Sequence, residues 1–162
     1  MKKWPEPGEA FNRAVSLILD LEGPPTDDPN DPGGYTKFGI SQRAFPHIDV
    51  KKLTVEEAKD IYAHWYWQPS RCADMPWPLS LFVFDCAVNQ GPGAAAKLLQ
   101  EALGVQVDGK VGAKTMAAAV ESGPEEWARF MALRTQRYAA TKGFETYGLG
   151  WLKRTYLIAM EA

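Results

Sequence analysis

Cysteine is scarce in this chain of 162 residues, which has two cysteines and two histidines. Cys72 and Cys86 are too few for a disulfide framework, and with the histidines they lack the spacing of a zinc site. We expect two buried free thiols, with a single bridge formed in an oxidising compartment as the alternative. The sequence therefore predicts neither a metal ion nor a cofactor.

An excess of charge of one sign is also missing. The 18 Lys and Arg residues against 20 Asp and Glu residues give a formal net charge of −2. Such a surface does not attract nucleic acid or an anionic membrane by its overall charge, so neither is expected as a partner.

Long hydrophobic runs are absent as well. The longest, Leu79 to Ala87, is interrupted by Asp85 and is too short to span a membrane. Near the N-terminus, Lys2 and Lys3 are followed by proline, glutamate and glycine where a signal peptide requires apolar residues. The sequence predicts synthesis in the cytoplasm, with no signal peptide and no membrane anchor.

What the chain has in quantity is aromatic residues, with six Trp, six Tyr and seven Phe. They can supply both a core and a surface that stacks on sugar rings. The length fits one compact domain, and no linker or repeat divides it.

The first predicted helix covers residues 9–21, where the residues at the spacing of one apolar face are Phe11, Val15, Ile18 and Leu19. Glu22 continues that face by one turn, directly before Gly23, Pro24 and Pro25 end the helix. Partial burial at such a position favours the protonated form of a carboxyl group.

The rest of the chain is also predicted to be mainly helical. A capping box at Thr54 and Glu57 begins a helix whose apolar side contains Val55, Ala58, Ile61, Tyr62 and Trp65. Leu79 to Asn89 is apolar almost all round, and Pro92 begins a helix that Gly104 ends. Shorter patterns predict a helix from Lys114 to Val120, one capped by Ser122 with Glu125, and a last one around Trp151 to Ile158. The turn-rich loop TDDPNDPGGYTKFGIS leaves room for at most one small β-hairpin, around Tyr35 to Ile40.

That loop and the helix end before it contain the groups that glycosidic hydrolysis needs. A glycosidase uses one carboxylic acid and a second polar group that attacks or positions water, and the candidates are Glu22, Asp28, Asp31 and Thr36. A calcium loop does not fit, because Pro32 and Gly39 stand where the fifth and twelfth loop positions require ligands.

The segment EGPPTDDPNDPGGYTKFGIS resembles the signature of glycoside hydrolase family 108, which is written E-G-G, D-P-x-D-x-G-G and T-x-x-G-I. Its spacing is also similar to the Glu-Asp-Thr triad of phage-type lysozymes. Downstream, FDCAVNQGPGAAAKLLQEALGVQVDGKVGAKT resembles the companion region, a predicted peptidoglycan domain, with D-G-x-x-G-x-x-T at Asp108 to Thr115. Pro24 and Pro25 depart from the pattern, which usually has a glycine and an aromatic residue there.

The resemblance implies a lysozyme-like helical fold and cleavage of the β-1,4 bond between N-acetylmuramic acid and N-acetylglucosamine. Glu22 is then the general acid, while Asp31 and Thr36 orient the water, with inversion at the sugar carbon. Residues 1–90 would form the muramidase region, and residues 91–162 a peptidoglycan-binding region packed on it as one unit. It further implies a monomeric phage endolysin that a holin releases from the cytoplasm to the periplasm and cell wall.

Six further residues are predicted to bind the glycan: Tyr35, Asp28, Trp65, Trp67, Asn89 and Gln90. Core packing is the alternative for these aromatic residues, and it is the favoured interpretation for Tyr62 and Trp65, which lie at helical spacing. Helix capping is the alternative for the two amides. Asp85, inside an apolar run, requires a partner such as a backbone amide, Arg43 or Arg134. His47 and His64 are expected to face solvent.

Two other classes of function compete with the hydrolase. A non-catalytic peptidoglycan-binding or secretion-assisting protein would not need Glu22, Asp31 and Thr36 together. An amidase or peptidase acting on the peptide stem would need a Cys/His pair or a metal cluster, which the sequence lacks.

Overall fold

The computed structural model describes residues 8–27 and 34–161, and most of them are helical. These residues form seven α-helices: α1 (Glu9–Leu21), α2 (Val55–Tyr62), α3 (Leu79–Gln90), α4 (Pro92–Ala102), α5 (Ala113–Glu121), α6 (Pro124–Ala139) and α7 (Phe144–Ala159). Single turns of 3₁₀ helix lie at Val50–Lys52 and Cys72–Asp74. Within the same residues the only sheet is an antiparallel hairpin of β1 (Thr36–Lys37) and β2 (Ile40–Ser41). The predicted mainly α, lysozyme-like fold with at most one small hairpin is confirmed.

Helix α3 forms the centre of the molecule. Every residue from Leu79 to Ala87 is buried, as expected for a helix that is apolar almost all round. Helices α1, α4, α6 and α7 all pack against it. Asp85 is the one charged residue in this buried stretch, and its side chain is 0% exposed.

Helix α1 packs its apolar face on this centre. Phe11, Val15 and Ile18 are buried as predicted, and the Phe11 ring meets that of Trp67 edge-on, with centroids 5.5 Å apart. At Glu22 the backbone becomes extended, while its N–H still donates to the Ile18 carbonyl oxygen. The backbone of Glu22 is therefore fixed by the helix that it ends.

Helix α2 begins with the predicted capping box at Thr54 and Glu57. It then passes into a π-helical turn at Ala63–Trp67, which the sequence analysis did not anticipate. A π turn adds a residue and rotates the following side chains around the axis. The prediction for Trp65 as a core residue is therefore wrong: it is 54% exposed, while Trp67 is buried. Val55, also expected on the apolar side, is exposed in the first turn.

Helix α6 begins one residue later than predicted. Its N-terminal cap is Gly123, whose N–H donates to Glu126, and Pro124 occupies the first helical position, where no N–H is needed. Ser122 instead joins two neighbouring helices, because its hydroxyl donates to the Ala119 carbonyl and accepts a hydrogen bond from the Trp127 indole.

Other predictions can be compared directly with the structure. Cys72 and Cys86 are buried free thiols, and burial raises the pKa of Cys86 to about 12. His47 is exposed as predicted, whereas His64 is half-buried, with its ring edge-on to that of Trp65. Within the predicted last helix, Ile158 is buried and Tyr156 is 65% exposed. No helix among the described residues is long and apolar enough to cross a membrane.

The D-G-x-x-G-x-x-T segment between α4 and α5 is organised around one buried amide. The Gln100 Nε2 lies 2.7 Å from Asp108 Oδ1 and 3.2 Å from Thr115 Oγ1, and its Oε1 accepts from the Gly109 N–H at 2.8 Å. Gln100 is 1% exposed, so this amide replaces water for the polar groups of the turn.

We expect Gln100→Met to lower the free energy of unfolding by about 2 kcal/mol, because each buried polar group left without a partner costs about 1–3 kcal/mol. The control is Gln106→Met, at an exposed position in the same connector, and it should be close to neutral. Urea unfolding followed by circular dichroism measures both. Equal midpoints for the two variants would contradict the role of Gln100.

Candidate active site

The predicted catalytic residues come from the end of α1 and from the hairpin. Glu22 and Thr36 are described by the structure, whereas Asp28 and Asp31 lie outside the described residues. Thr36 pairs with Thr26 through two backbone hydrogen bonds of 2.9 Å, so the chain returns to the segment that follows Glu22. The Thr36 hydroxyl donates to the Gly34 carbonyl oxygen at 3.3 Å.

The hairpin turn lies directly against the Glu22 carboxyl group. Phe38 and Gly39 have φ values of 53° and 70°, as a tight two-residue hairpin turn requires. A Cβ atom on Gly39 would be 2.6 Å from both Cδ and Oε2 of Glu22, and 2.7 Å from the Tyr62 hydroxyl. No side chain fits at this position, so the glycine allows the turn and Glu22 to meet.

Tyr62 holds the hairpin turn from the side of the core. Its hydroxyl donates to the Phe38 carbonyl oxygen at 2.8 Å, and its ring is in the core. Burial raises the pKa of Tyr62, and the negative charge of Glu22 raises it further. Tyr62 therefore keeps its proton and holds the turn next to Glu22.

On its other side, Glu22 pairs with an arginine from the last helix. Arg154 Nη1 donates to Glu22 Oε1 at 2.7 Å, and the two side chains are only 15% and 19% exposed respectively. Arg154 Nε donates at the same time to Asp85 Oδ1 at 2.8 Å. One guanidinium group thus joins the end of α1 to the central helix.

Asp85 continues the series of charges into the core. Its second oxygen accepts a hydrogen bond from Arg134 Nη2, and both of these side chains are fully buried. The sequence prediction that Asp85 requires a partner such as Arg134 is confirmed, whereas Arg43 is exposed on the hairpin side. Glu22, Arg154, Asp85 and Arg134 form a line of alternating charges, which we call the ion chain.

The carboxylates of the ion chain favour the charged forms of its two arginines. Burial lowers the pKa of Arg134, but the carboxylate of Asp85, together with Cys86 and Tyr138, raises it above its usual value. Burial also lowers the pKa of Arg154, but Asp85 and Glu22 together raise it above its usual value. Both arginines are therefore charged, as a buried chain of paired ions requires.

The residues predicted to bind glycan have different environments. Trp67 is 4% exposed and packs against Phe11 and Phe84, so it has no free face for a sugar, and that prediction is corrected to core packing. Trp65 keeps an open face and meets the rings of Phe45 and His64 edge-on. Tyr35 is half-buried, with the Lys51 ammonium 5.2 Å from the ring centroid.

Both amide residues at the end of α3 contact the ion chain. Asn89 Nδ2 donates to the Asp85 carbonyl oxygen at 2.9 Å, and Gln90 Nε2 donates to the Arg134 carbonyl oxygen at 3.4 Å. Asn89 is exposed and Gln90 is half-buried. These bonds serve the fold, and contact with substrate stays a prediction for both residues.

Sequence reasoning missed Arg154 and Gly39. The signal for Arg154 was weak, because it is one of two adjacent cations in the last helix, 132 residues after Glu22. Gly39 belongs to the signature, but only the folded hairpin shows what it touches. Among the residues that the structure describes, no cluster of three His, Cys, Asp or Glu side chains is arranged to hold a metal ion.

Comparison with known proteins places both parts of the chain in known families. The model of the Glycosyl hydrolase 108 family matches residues 15–91, and that of the Predicted Peptidoglycan domain matches residues 94–156. Among solved structures, Brucella abortus SagA superimposes with a TM-score of 0.84 at 32% identity, over 93% of this chain and 92% of that one. No curated protein matches significantly.

The two family models divide the chain near Gly91, where α3 ends, and together they cover most of it. The solved relative extends the likeness over both parts. The chain belongs to glycosyl hydrolase family 108, and it is a glycosidase that acts on peptidoglycan.

Proposed function

We propose that the protein is a muramidase that cleaves the β-1,4 bond between N-acetylmuramic acid and N-acetylglucosamine, with Glu22 as the general acid. The observation that carries this proposal is the position of the Glu22 carboxyl group. It stands at the end of a rigid helix, between the hairpin turn and Arg154, and is still one-fifth exposed (19%). A general acid needs this combination of fixed geometry and access to substrate.

The two oxygens of Glu22 have different surroundings, which suggests their roles. Oε1 accepts the hydrogen bond from Arg154, while Oε2 lies beside Gly39. In the proposed reaction Glu22 first takes up a proton on Oε2. Oε2 then gives this proton to the glycosidic oxygen as the bond from that oxygen to C1 breaks. Arg154 then balances the carboxylate that remains.

We assign the second half of the reaction to Asp31 and Thr36. A water molecule attacks C1 from the face opposite the leaving sugar, with its proton passing to Asp31 and its orientation set by Thr36. This route inverts the anomeric centre, as expected when a water molecule fits between the two catalytic groups. Asp28 is the reserve candidate for the base.

The glycan would extend from Glu22 along the hairpin side of the molecule. Trp65 offers an open ring for stacking on a sugar, and Tyr35, Asp28, Asn89 and Gln90 are the proposed polar and aromatic contacts. The net charge of −2 gives no general attraction to an anionic envelope, which fits an enzyme delivered to its substrate. We propose that it works as a monomeric phage endolysin, released from the cytoplasm by a holin.

We expect Glu22→Gln to fold normally and to lose about 10²–10⁴-fold in rate, the usual contribution of a general acid. The matched control is Asp20→Asn, an exposed carboxylate on the same helix, which should retain activity. Sacculi are digested, reduced with borohydride and analysed by mass spectrometry. Reduced muramic acid at new chain ends supports the muramidase, and reduced glucosamine would point to the other glycosidic bond. Binding to sacculi without any new ends, in the wild-type protein, would favour a non-catalytic peptidoglycan-binding role.

We expect Gly39→Ala to lose most of its lytic activity, because the added methyl group would displace the Glu22 carboxyl group or the turn. Gly34→Ala is the matched control: it has nearly the same φ, 69° against 70°, but nothing closer than 4.0 Å to the new atom. Both variants should have a similar conformational cost of about 1–3 kcal/mol. Turbidity loss of permeabilised Gram-negative cells measures activity, and equal lysis by the two variants would show that contact with Glu22 is unimportant.

We propose further that residues 1–90 and 91–162 work as one unit. Phe130 and Ile158, which are fully buried, come from α6 and α7, and these helices pack on α3 and α4. A chain that ends at Leu103 should therefore be insoluble or unfolded, because it exposes the core that these helices cover. Solubility and far-ultraviolet circular dichroism test this, and a soluble fragment with lytic activity would contradict it.

A further inference from the structure

The last helix contributes directly to the surroundings of the proposed catalytic acid. Arg154 lies within the region that matches the Predicted Peptidoglycan domain, yet its guanidinium group contacts Glu22 in the glycosyl hydrolase region. The contact spans 132 residues of sequence and is mostly shielded from solvent. A binding region that only held the cell wall would have no need of such a contact.

We propose that Arg154 is a positioning residue for Glu22, and that Asp85 fixes Arg154 in the orientation that this role requires. The inference rests on the proposed role of Glu22 as the general acid. It assigns to the C-terminal region a part in the active site, in addition to any contact with the cell wall.

The geometry of the guanidinium group is the first support. Arg154 uses Nη1 for Glu22 and Nε for Asp85, at 2.7 and 2.8 Å. These two nitrogens belong to one rigid plane, so a bond to one carboxylate sets the direction of the bond to the other. Lysine has a single point charge on a flexible stem and lacks this property.

The second support is that Asp85 cannot easily turn. Arg134 holds its other oxygen inside the core, and Asn89 Nδ2 lies 3.4 Å from the oxygen that Arg154 uses. Asp85 also belongs to the buried central helix. The orientation of Arg154 is therefore set by groups that do not move with the substrate.

Arg154 restrains the orientation of the Glu22 carboxyl group, because the two carboxyl oxygens have different neighbours. Arg154 occupies Oε1, and the turn at Gly39 with the Tyr62 hydroxyl limits the space around Oε2. The carboxyl plane is thus restrained from two sides, with Oε2 left to carry the proton. Without Arg154 the carboxyl group gains rotational freedom, and a displacement of about 1 Å at a reacting group can cost about 10²-fold in rate.

The test compares Arg154→Met, Arg154→Lys and the control Lys153→Met, an exposed neighbour on the same helix. Rates are measured on soluble glycan strands freed of peptide stems. We expect Arg154→Met to lower kcat by about 10²-fold with KM nearly unchanged, since orientation and not substrate binding is lost. Arg154→Lys should have an intermediate kcat, and Lys153→Met should match the wild type.

A double variant separates positioning from a general loss of structure. If Arg154 acts through Glu22, Glu22→Gln with Arg154→Met should be no slower than Glu22→Gln alone. A further loss in the double variant, or a wild-type kcat for Arg154→Met, would overturn the inference. If circular dichroism shows that Arg154→Met does not fold, Arg154→Lys decides: a lowered kcat in a folded protein supports the inference, and an unchanged kcat overturns it.

The same set of variants keeps the two proposals apart. Full activity in Glu22→Gln would reject Glu22 as the general acid, and with it the reason for positioning. An inactive Glu22→Gln beside a fully active Arg154→Met would leave the muramidase assignment intact and reject only the role of Arg154.

Discussion

The buried pair of Asp85 and Arg134 is the constraint around which much of this molecule is arranged. Two fully buried ions are costly to remove from water, and in many proteins an apolar pair of the same size would be at least as stable. What the pair provides here is direction: Asp85, held by Arg134 on one side, presents its second oxygen to Arg154. The ion chain thereby extends from the core to the partly exposed carboxyl group of Glu22.

The two ends of the ion chain are held by different elements of the fold. In the core, α3 supplies Asp85 and α6 supplies Arg134, so these two helices are brought into register by a charge pair as well as by apolar packing. At the surface, α1 presents Glu22 where the helix ends, and the hairpin turn confines the carboxyl group from the opposite side. The candidate site is therefore a meeting point of the first helix, the hairpin and the last helix.

This arrangement gives a physical meaning to the two regions that the family models distinguish. The division near Gly91 is real in sequence, because a helix ends there and Pro92 begins the next. It is not a boundary between separate sites, because Arg154 on the far side of it contacts Glu22. The D-G-x-x-G-x-x-T segment, which the family resemblance would connect with the wall, is organised by Gln100 and first of all closes a turn.

The sequence by itself determined the helices, the position of Glu22 and the family. Periodic apolar residues, the capping box at Thr54 and the prolines and glycines at helix ends are local signals, which act through contacts a few residues apart. The errors of the sequence predictions were also local in origin. The π turn exposes Trp65 and buries Trp67, and Pro124 moves the start of α6 by one residue. Only the tertiary structure decided that Arg154 meets Glu22, that Gly39 leaves room for its carboxyl group and that Arg134 and Arg154 share Asp85. These contacts join residues far apart in the chain, and they depend on how the helices pack, which a local pattern does not encode.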